Sequence, residues 1–299
     1  MSRLPIKGWT FALLATFTWG GYLSLAKIVL EKITVEHFLV LRFFIGAAVL
    51  FGIIILTRDS LVIKRVQWWA VIFTATIGII LHQSIQATGL RFTTATNTGW
   101  ILTFIPVVTG LLAYWFLHEP IRLKQVIGLI IAGVGLITLI TNGDVLHLFS
   151  SYHYGDYLIM GSVVTWSIYT VSTKKYLSGY SALVVSMYQM LLGGIFFLAL
   201  SGSTLMVDVI HLSNLEWCYV VLAGAFASGL AYVWWNSAAK LLDSLTTSMF
   251  MFFESIVAMV VGFLLLGEHI SVVQLLGIGV IILGVCVAII KPKESMVTK

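Results

Sequence analysis

Glu254 is the one acid deep inside a long apolar run, TTSMFMFFESIVAMVVGFLLLGE. A carboxylate at the centre of a bilayer costs roughly 2.5–3.5 kcal/mol on insertion scales, so such a group is protonated, paired or functional. Glu254 is therefore a candidate for coupling or gating, against a protonated carboxyl hydrogen-bonded between helices. Arg42 is the one base inside such a run, VEHFLVLRFFIGAAVLFG. It lies about 9 Å from the end of its run at about 1.5 Å per residue, within reach of snorkelling, and reads as a gating or structural group. His82 and Gln86 are spaced i, i+4, as are Tyr232 and Asn236, so each pair shares a helix face. Trp19 with Tyr22, and Trp166 with Tyr169, are i, i+3 pairs well away from the ends of their apolar runs. With Trp100 and Gln189 these form the candidate substrate-binding set. An aromatic wall with a few polar groups suits a small-molecule pocket, and plain core packing is the rival reading.

Other chemistries are not supported. Gly128, Ala132 and Gly135 form a small-residue stripe for close helix packing, and no Gly-Lys-Ser/Thr follows them as a phosphate loop requires. Cys218 and Cys286 lack metal or redox spacing and are expected to be buried small hydrophobes. No zinc spacing, triad or paired carboxylates occur, so neither an enzyme nor a cofactor is expected. A lipid- or peptide-directed membrane enzyme, or a scaffold, is the weakest reading.

Hydrophobic residues make up 60% of the chain, charged residues 10%, and the mean hydropathy is +1.03. Soluble domains run near 45–50% apolar and about 25% charged, so the chain is an all-α integral membrane protein. The net charge of +5 fits loop cations facing anionic lipid rather than nucleic acid. At about 20 residues per span, ten transmembrane helices are expected, near 9–26, 36–56, 68–89, 98–117, 122–140, 156–173, 182–200, 216–237, 246–266 and 271–290.

The spans repeat. NTGWILTFIPVVTGLLAYWFLHEPIRLKQVIGLIIAGVG has a near-copy 149 residues on, aligning Glu119 with Glu268, Gln125 with Gln274, Gly128 with Gly277 and Gly135 with Gly284. Thr18-Trp19, Tyr22 and Lys27 recur as Thr165-Trp166, Tyr169 and Lys174, offset by 147, and Arg42 and Gly46 match Gln189 and Gly193. Four non-aliphatic matches in one hairpin are hard to obtain by accident, and they read as an internal duplication. Residues 1–143 form the first five-helix unit, 156–290 the second, and 291–299 a cytoplasmic tail. With the N-terminus inside, thirteen Lys and Arg fall on inner segments and three on outer ones, a strong positive-inside bias. A unit of five spans repeated in tandem must insert inverted, the architecture of alternating access.

This arrangement resembles the EamA family of the drug/metabolite transporter superfamily. The resemblance rests on Thr18-Trp19-Gly20, Arg42-Phe43, Gly89-Leu90-Arg91 with Ala95, Pro106 through Glu119, Thr165-Trp166, Asn236 through Lys240, and Glu254 through Glu268. Where the family often has Glu-Pro in its fourth and ninth spans, this chain has Ile105-Pro106 and Glu254-Ser255. The resemblance implies a secondary transporter exporting small metabolites, amino acids prominent among them, from the plasma (inner) membrane of a bacterial-type cell. The expected partners are a small-molecule substrate, the lipid bilayer and protons as the candidate coupling ion, in a monomer or homodimer. A multidrug effluxer of organic cations is the alternative within that class.

Overall fold

The computed structural model describes residues 5–93, 98, 101–144, 154–202, 205, 209–266 and 269–289, and these contain helices and no strands. In chain order the helices are α1 (Ile6–Leu30), α2 (Val35–Thr57), α3 (Trp68–Ala75), α4 (His82–Arg91), α5 (Ile105–Leu117), α6 (Leu123–Thr141) and α7 (Tyr154–Leu177). They continue as α8 (Ala182–Ser201), α9 (Asn214–Leu222), α10 (Ala231–Leu241), α11 (Ser244–Met249), α12 (Phe252–Leu266) and α13 (Val272–Ile289). Seven stretches among the described residues are long and apolar enough to cross a membrane. α1 and α7, at 25 and 24 residues, equal them in length, whereas α5 has 13.

Local chemistry sets the ends. The Thr34 hydroxyl accepts from the His37 N–H to open α2, and Arg58 closes it in the left-handed region at φ 56°. Pro106 sits in the first turn of α5, where it removes no needed donor. Asp243 caps α11, its carboxylate accepting from the Thr246 N–H at 2.8 Å.

Two rods change pitch partway. Thr76–Leu81 joins α3 to α4 as a π-helical segment, and Ala223–Leu230 joins α9 to α10 in the same way. The His82 N–H donates to Ile77 O and the Ala231 N–H to Phe226 O, each five residues back. In the 149-residue register of the sequence, 223–230 falls on 74–81, so the two wide turns occupy matching positions. The stretch expected as one span over 246–266 is broken. Backbone bonds of the i→i−3 type at Phe250, Met251, Phe253 and Glu254 tighten the chain between α11 and α12. The break leaves Glu254 in the first turn of α12.

The tightest seam joins α6 to α13. A Cβ built at Gly128 would lie 2.4 Å from Gly284 O, and one at Gly135 would lie 2.8 Å from Gly277 O. The backbones touch, so only glycine fits. The match is reciprocal: Gly128 aligns with Gly277 in sequence but meets Gly284, while Gly135 aligns with Gly284 but meets Gly277. Two copies of one helix meet in that manner across a two-fold axis. α2 packs on α8, α1 on α10 and α12, and α7 on α4 and α5. Large apolar side chains such as Trp115, Ile130, Leu264 and Leu276 face outward, as lipid contact requires. Cys218 and Cys286 are exposed too, contrary to the expectation of burial. An apolar run gives no sign of which side meets lipid and which meets protein, and both thiols fall on the outward side.

Candidate functional site

Trp19 of α1 and Trp166 of α7 meet edge to face at the centre, ring centroids 5.3 Å apart. These are the repeat-matched tryptophans, now in contact with each other. The Trp19 indole N–H donates to Ala227 O at 2.9 Å, in the second π-helical segment. Tyr232 and Trp235 of α10 close the cluster, at 5.5 Å from Trp19 and 5.6 Å from Trp166 respectively. The His82 ring lies 5.1 Å from Trp166. Each favourable ring pair adds about 0.5–1.5 kcal/mol beyond burial. Trp19 and Trp166 are only 7% and 3% exposed. The rings expected to wall a pocket therefore fill one another's space in this conformation.

Three further candidates form one network. The Tyr169 hydroxyl lies 3.1 Å from Gln189 Oε1 and 3.2 Å from Asn236 Oδ1. The Asn236 amide donates to Ser186 at 3.0 Å, and the Gln189 amide donates to Thr74 at 2.8 Å. The Tyr169 ring enters the first π-helical segment, where a Cβ at Gly78 would come within 2.1 Å of it. The wide turn and the missing side chain together make room for that ring.

His82 Nδ1 is 3.1 Å from Ser162 O, so Nδ1 carries the proton that donates and Nε2 is left as an acceptor. Gln83 beside it donates to the Tyr232 hydroxyl at 3.2 Å. Gln83 and Tyr232 are 149 residues apart, hence matching positions of the two halves in direct contact. Gln86 is half-buried. Trp100 lies outside the described residues.

Arg42 does not snorkel. It is 2% exposed; its Nε donates to Ser228 Oγ at 2.7 Å, and its Nη1 donates to the Tyr22 hydroxyl. The guanidinium lies 4.5 Å from the centre of the Tyr22 ring and 5.2 Å from that of Phe43, a cation–π box. The aromatic rings and the hydroxyls of Ser228 and Tyr22 solvate the cation inside the bundle better than hydrocarbon would along the route outward. Tyr22 thus separates from its partner Trp19, stacking on Phe38 at 6.2 Å and holding Arg42. Glu254 is half-buried, and among the described residues its carboxylate has no ion-pair or hydrogen-bond partner. The N-terminal dipole of α12 favours its charge.

At one end of the bundle the chain is clasped. Lys174 Nζ is 2.6 Å from Glu119 Oε1 and donates to Leu242 O at 2.5 Å. Glu119 Oε2 accepts from the Ser244 N–H at 2.6 Å. The Gln125 amide donates to Asp243 at 2.7 Å and to Thr246 at 3.0 Å. These bonds tie the hinge between α5 and α6 to the end of α7 and to the turn between α10 and α11. Glu268, the sequence counterpart of Glu119, lies outside the described residues. A cavity of about 190 Å³ beside this clasp is lined by Trp9, Arg122 and Asp243 among others. An apolar groove of about 340 Å³ runs between α2 and α8, over Phe44, Phe51 and Tyr188. Neither is lined by the central rings.

Sequence reasoning did not single out Gln83, Ser228, Phe43 or Trp235 as members of the centre. For Gln83 the signal was present, because its repeat match is Tyr232. Ser228 and Trp235 gave none, being a small hydroxyl and one aromatic among many in apolar runs.

The description "EamA-like transporter family" belongs to the family model that matches this chain twice, over residues 6–141 and 153–290. The uncharacterized transporter YyaM of Bacillus subtilis (strain 168) is 29% identical over 277 residues, covering 90% of this chain and 89% of its own. YetK of the same organism, also an uncharacterized transporter, is 26% identical over 92% of this chain and 84% of its own. A crystal structure of a protein 17% identical superposes with a TM-score of 0.75, covering 93% of this chain and 95% of that one. That last likeness concerns the fold.

Proposed function

The chain belongs to the EamA-like transporter family, and from that premise we propose that it is a secondary transporter that moves a small metabolite by alternating access. It exports its substrate across the plasma membrane, from ten spans arranged as two inverted five-helix units, residues 1–143 and 156–290, with both termini cytoplasmic. The observation that carries this reading is that matched positions of the two halves touch at the centre. Trp19 meets Trp166, and Gln83 meets Tyr232. Residues that contact their own repeat partner lie on the axis relating the halves, and inverted-repeat transporters bind substrate there. The substrate site is then built from Trp19, Trp166, Tyr232, His82 and Gln86, with Tyr22 and Arg42 at its edge. Tyr169, Gln189 and Asn236 form the framework that holds it. Amino acids or related compounds are the substrates that best suit aromatic walls with a carboxylate and a guanidinium near them.

A second reading has its own support. Glu254, half-buried and without a partner among the described residues, suits an organic cation or a coupling proton. Purified chain in liposomes, offered a mixed pool of labelled metabolites and organic cations, tests both. Accumulation of neutral or zwitterionic metabolites supports the first reading, and accumulation of cations alone moves the assignment to the second. A vesicle that accumulates nothing, with or without a proton gradient, would end the transport proposal. Glu254→Gln keeps the shape and removes the ionisation; it should abolish gradient-driven uptake at normal membrane level if Glu254 carries the proton.

A further inference from the structure

A guanidinium has five N–H donors, and Arg42 uses two of them, on Ser228 and Tyr22. Among the described residues no carboxylate pairs with it. A buried charge without a counter-ion is strongly destabilising, and the rings of Tyr22, Phe38 and Phe43 offset only part of that cost. The position is nonetheless held rigidly. Ser228 belongs to the same π-helical segment whose Ala227 carbonyl anchors Trp19. Trp19 in turn rests on Trp166, whose own indole N–H is buried and has no acceptor among the described residues. Arg42 and Trp19 thus bond to adjacent residues of that segment, Ser228 and Ala227, and Trp166 packs on Trp19. Glu254, its backbone against Gly20 beside Trp19, has no ion-pair or hydrogen-bond partner for its carboxylate among the described residues.

We propose that Arg42, oriented by Tyr22 and Ser228, is the seat of a carboxylate, and that the compound carried is a carboxylate-bearing small molecule. A guanidinium fork matches the two oxygens of a carboxylate and its aromatic backing shields the pair from water. This deepens the transporter reading and rests on it for the word "carried", but the binding claim can be tested without transport. Two kinds of ligand share the chemistry: a plain organic acid, and a zwitterion whose ammonium faces Glu254.

The test is thermal melting of the full chain in detergent with four probes of one body: leucine, 4-methylpentanoate, leucinamide and isopentylamine. A second pair, 3-phenylpropionate and its amide, covers a larger body. Acids are expected to raise the melting temperature, and the amides and amine to leave it unchanged. A response to leucine alone assigns the zwitterion, and an equal response to 4-methylpentanoate assigns the plain acid. Arg42→Gln should raise the half-effective concentration at least about tenfold, the scale of one lost charge-assisted bond. Tyr22→Phe keeps the ring and removes only the hydroxyl that holds Arg42. It should weaken the acid response several-fold, and it supplies the readout if Arg42→Gln does not fold. The proposal fails if the amides and amine match the acids, if no acid acts, or if both variants respond like the unmodified chain. A chain that binds acids but moves nothing in liposomes would sink the transport reading and keep this one. Uptake of amines without any acid response would do the reverse.

Discussion

At the residue scale, Tyr169, a substrate-binding candidate, stands at the junction of a buried hydrogen-bond network. Its hydroxyl is shared by Gln189 and Asn236, and its ring is seated on Gly78. Tyr169→Phe leaves two buried amides short of a partner. It should cost about 1–3 kcal/mol, read as a lower melting temperature. A melting temperature equal to that of the unmodified chain would mean water or another side chain satisfies the amides. The sequence made Trp19 and Trp166 legible, because two aromatic pairs at matched repeat positions are informative in any apolar chain. It named Arg42 but did not fix which way the side chain turns. A guanidinium six residues from a span end can turn outward or inward, and the choice is made by Ser228 and Tyr22, distant by 186 and 20 residues. The Gln83–Tyr232 contact lay in between: the register contained it, but only the folded chain shows that matched positions touch.

Elements decide what can move. The α6–α13 seam is set by backbone contact, and an added side chain there has nowhere to go. Gly128→Leu should therefore abolish folded protein in the membrane. Gly133, on the same helix, has nothing within 4 Å of a built Cβ, so Gly133→Ala should leave expression and melting unchanged. Equal tolerance at both sites, measured as membrane level after mild extraction, would mean the seam is looser than described. The stripe that marks this seam was readable from spacing alone. The π-helical segments were not, since TIGIIL and AGAFASGL look like ordinary apolar helix. Wide turns of this kind gather at functional sites, and here they receive Tyr169 and Trp19. Between α11 and α12 the break likewise leaves no sequence mark beyond the run of hydroxyls before it, yet it decides that Glu254 sits at a helix start.

For the whole molecule, orientation is the property most open to direct measurement. The bias of basic residues leads us to propose that Arg58, Lys64 and Arg65 share the cytoplasmic side with the C-terminus. A reporter active only in the cytoplasm should work when fused after Lys299 or inserted between Arg58 and Lys64, and should be silent within 144–153. Activity in the 144–153 segment would put the two halves in the same orientation and remove the basis for alternating access.

The reciprocal glycine seam also bears on descent. Gly128 rests on Gly284 and Gly135 on Gly277, so each half is the mould for the other. An ancestral chain of half this length could have formed a homodimer through the same helix, glycine to glycine, with its aromatic residue meeting its own copy on the axis. In a chain built this way neither half can alter its seam without the other, whereas Arg42 and Gln189, off the seam, are free to differ. Heredity in such a molecule is strictest where two backbones touch. It is loosest off the seam, where matched positions of the two halves hold a guanidinium in one and an amide in the other.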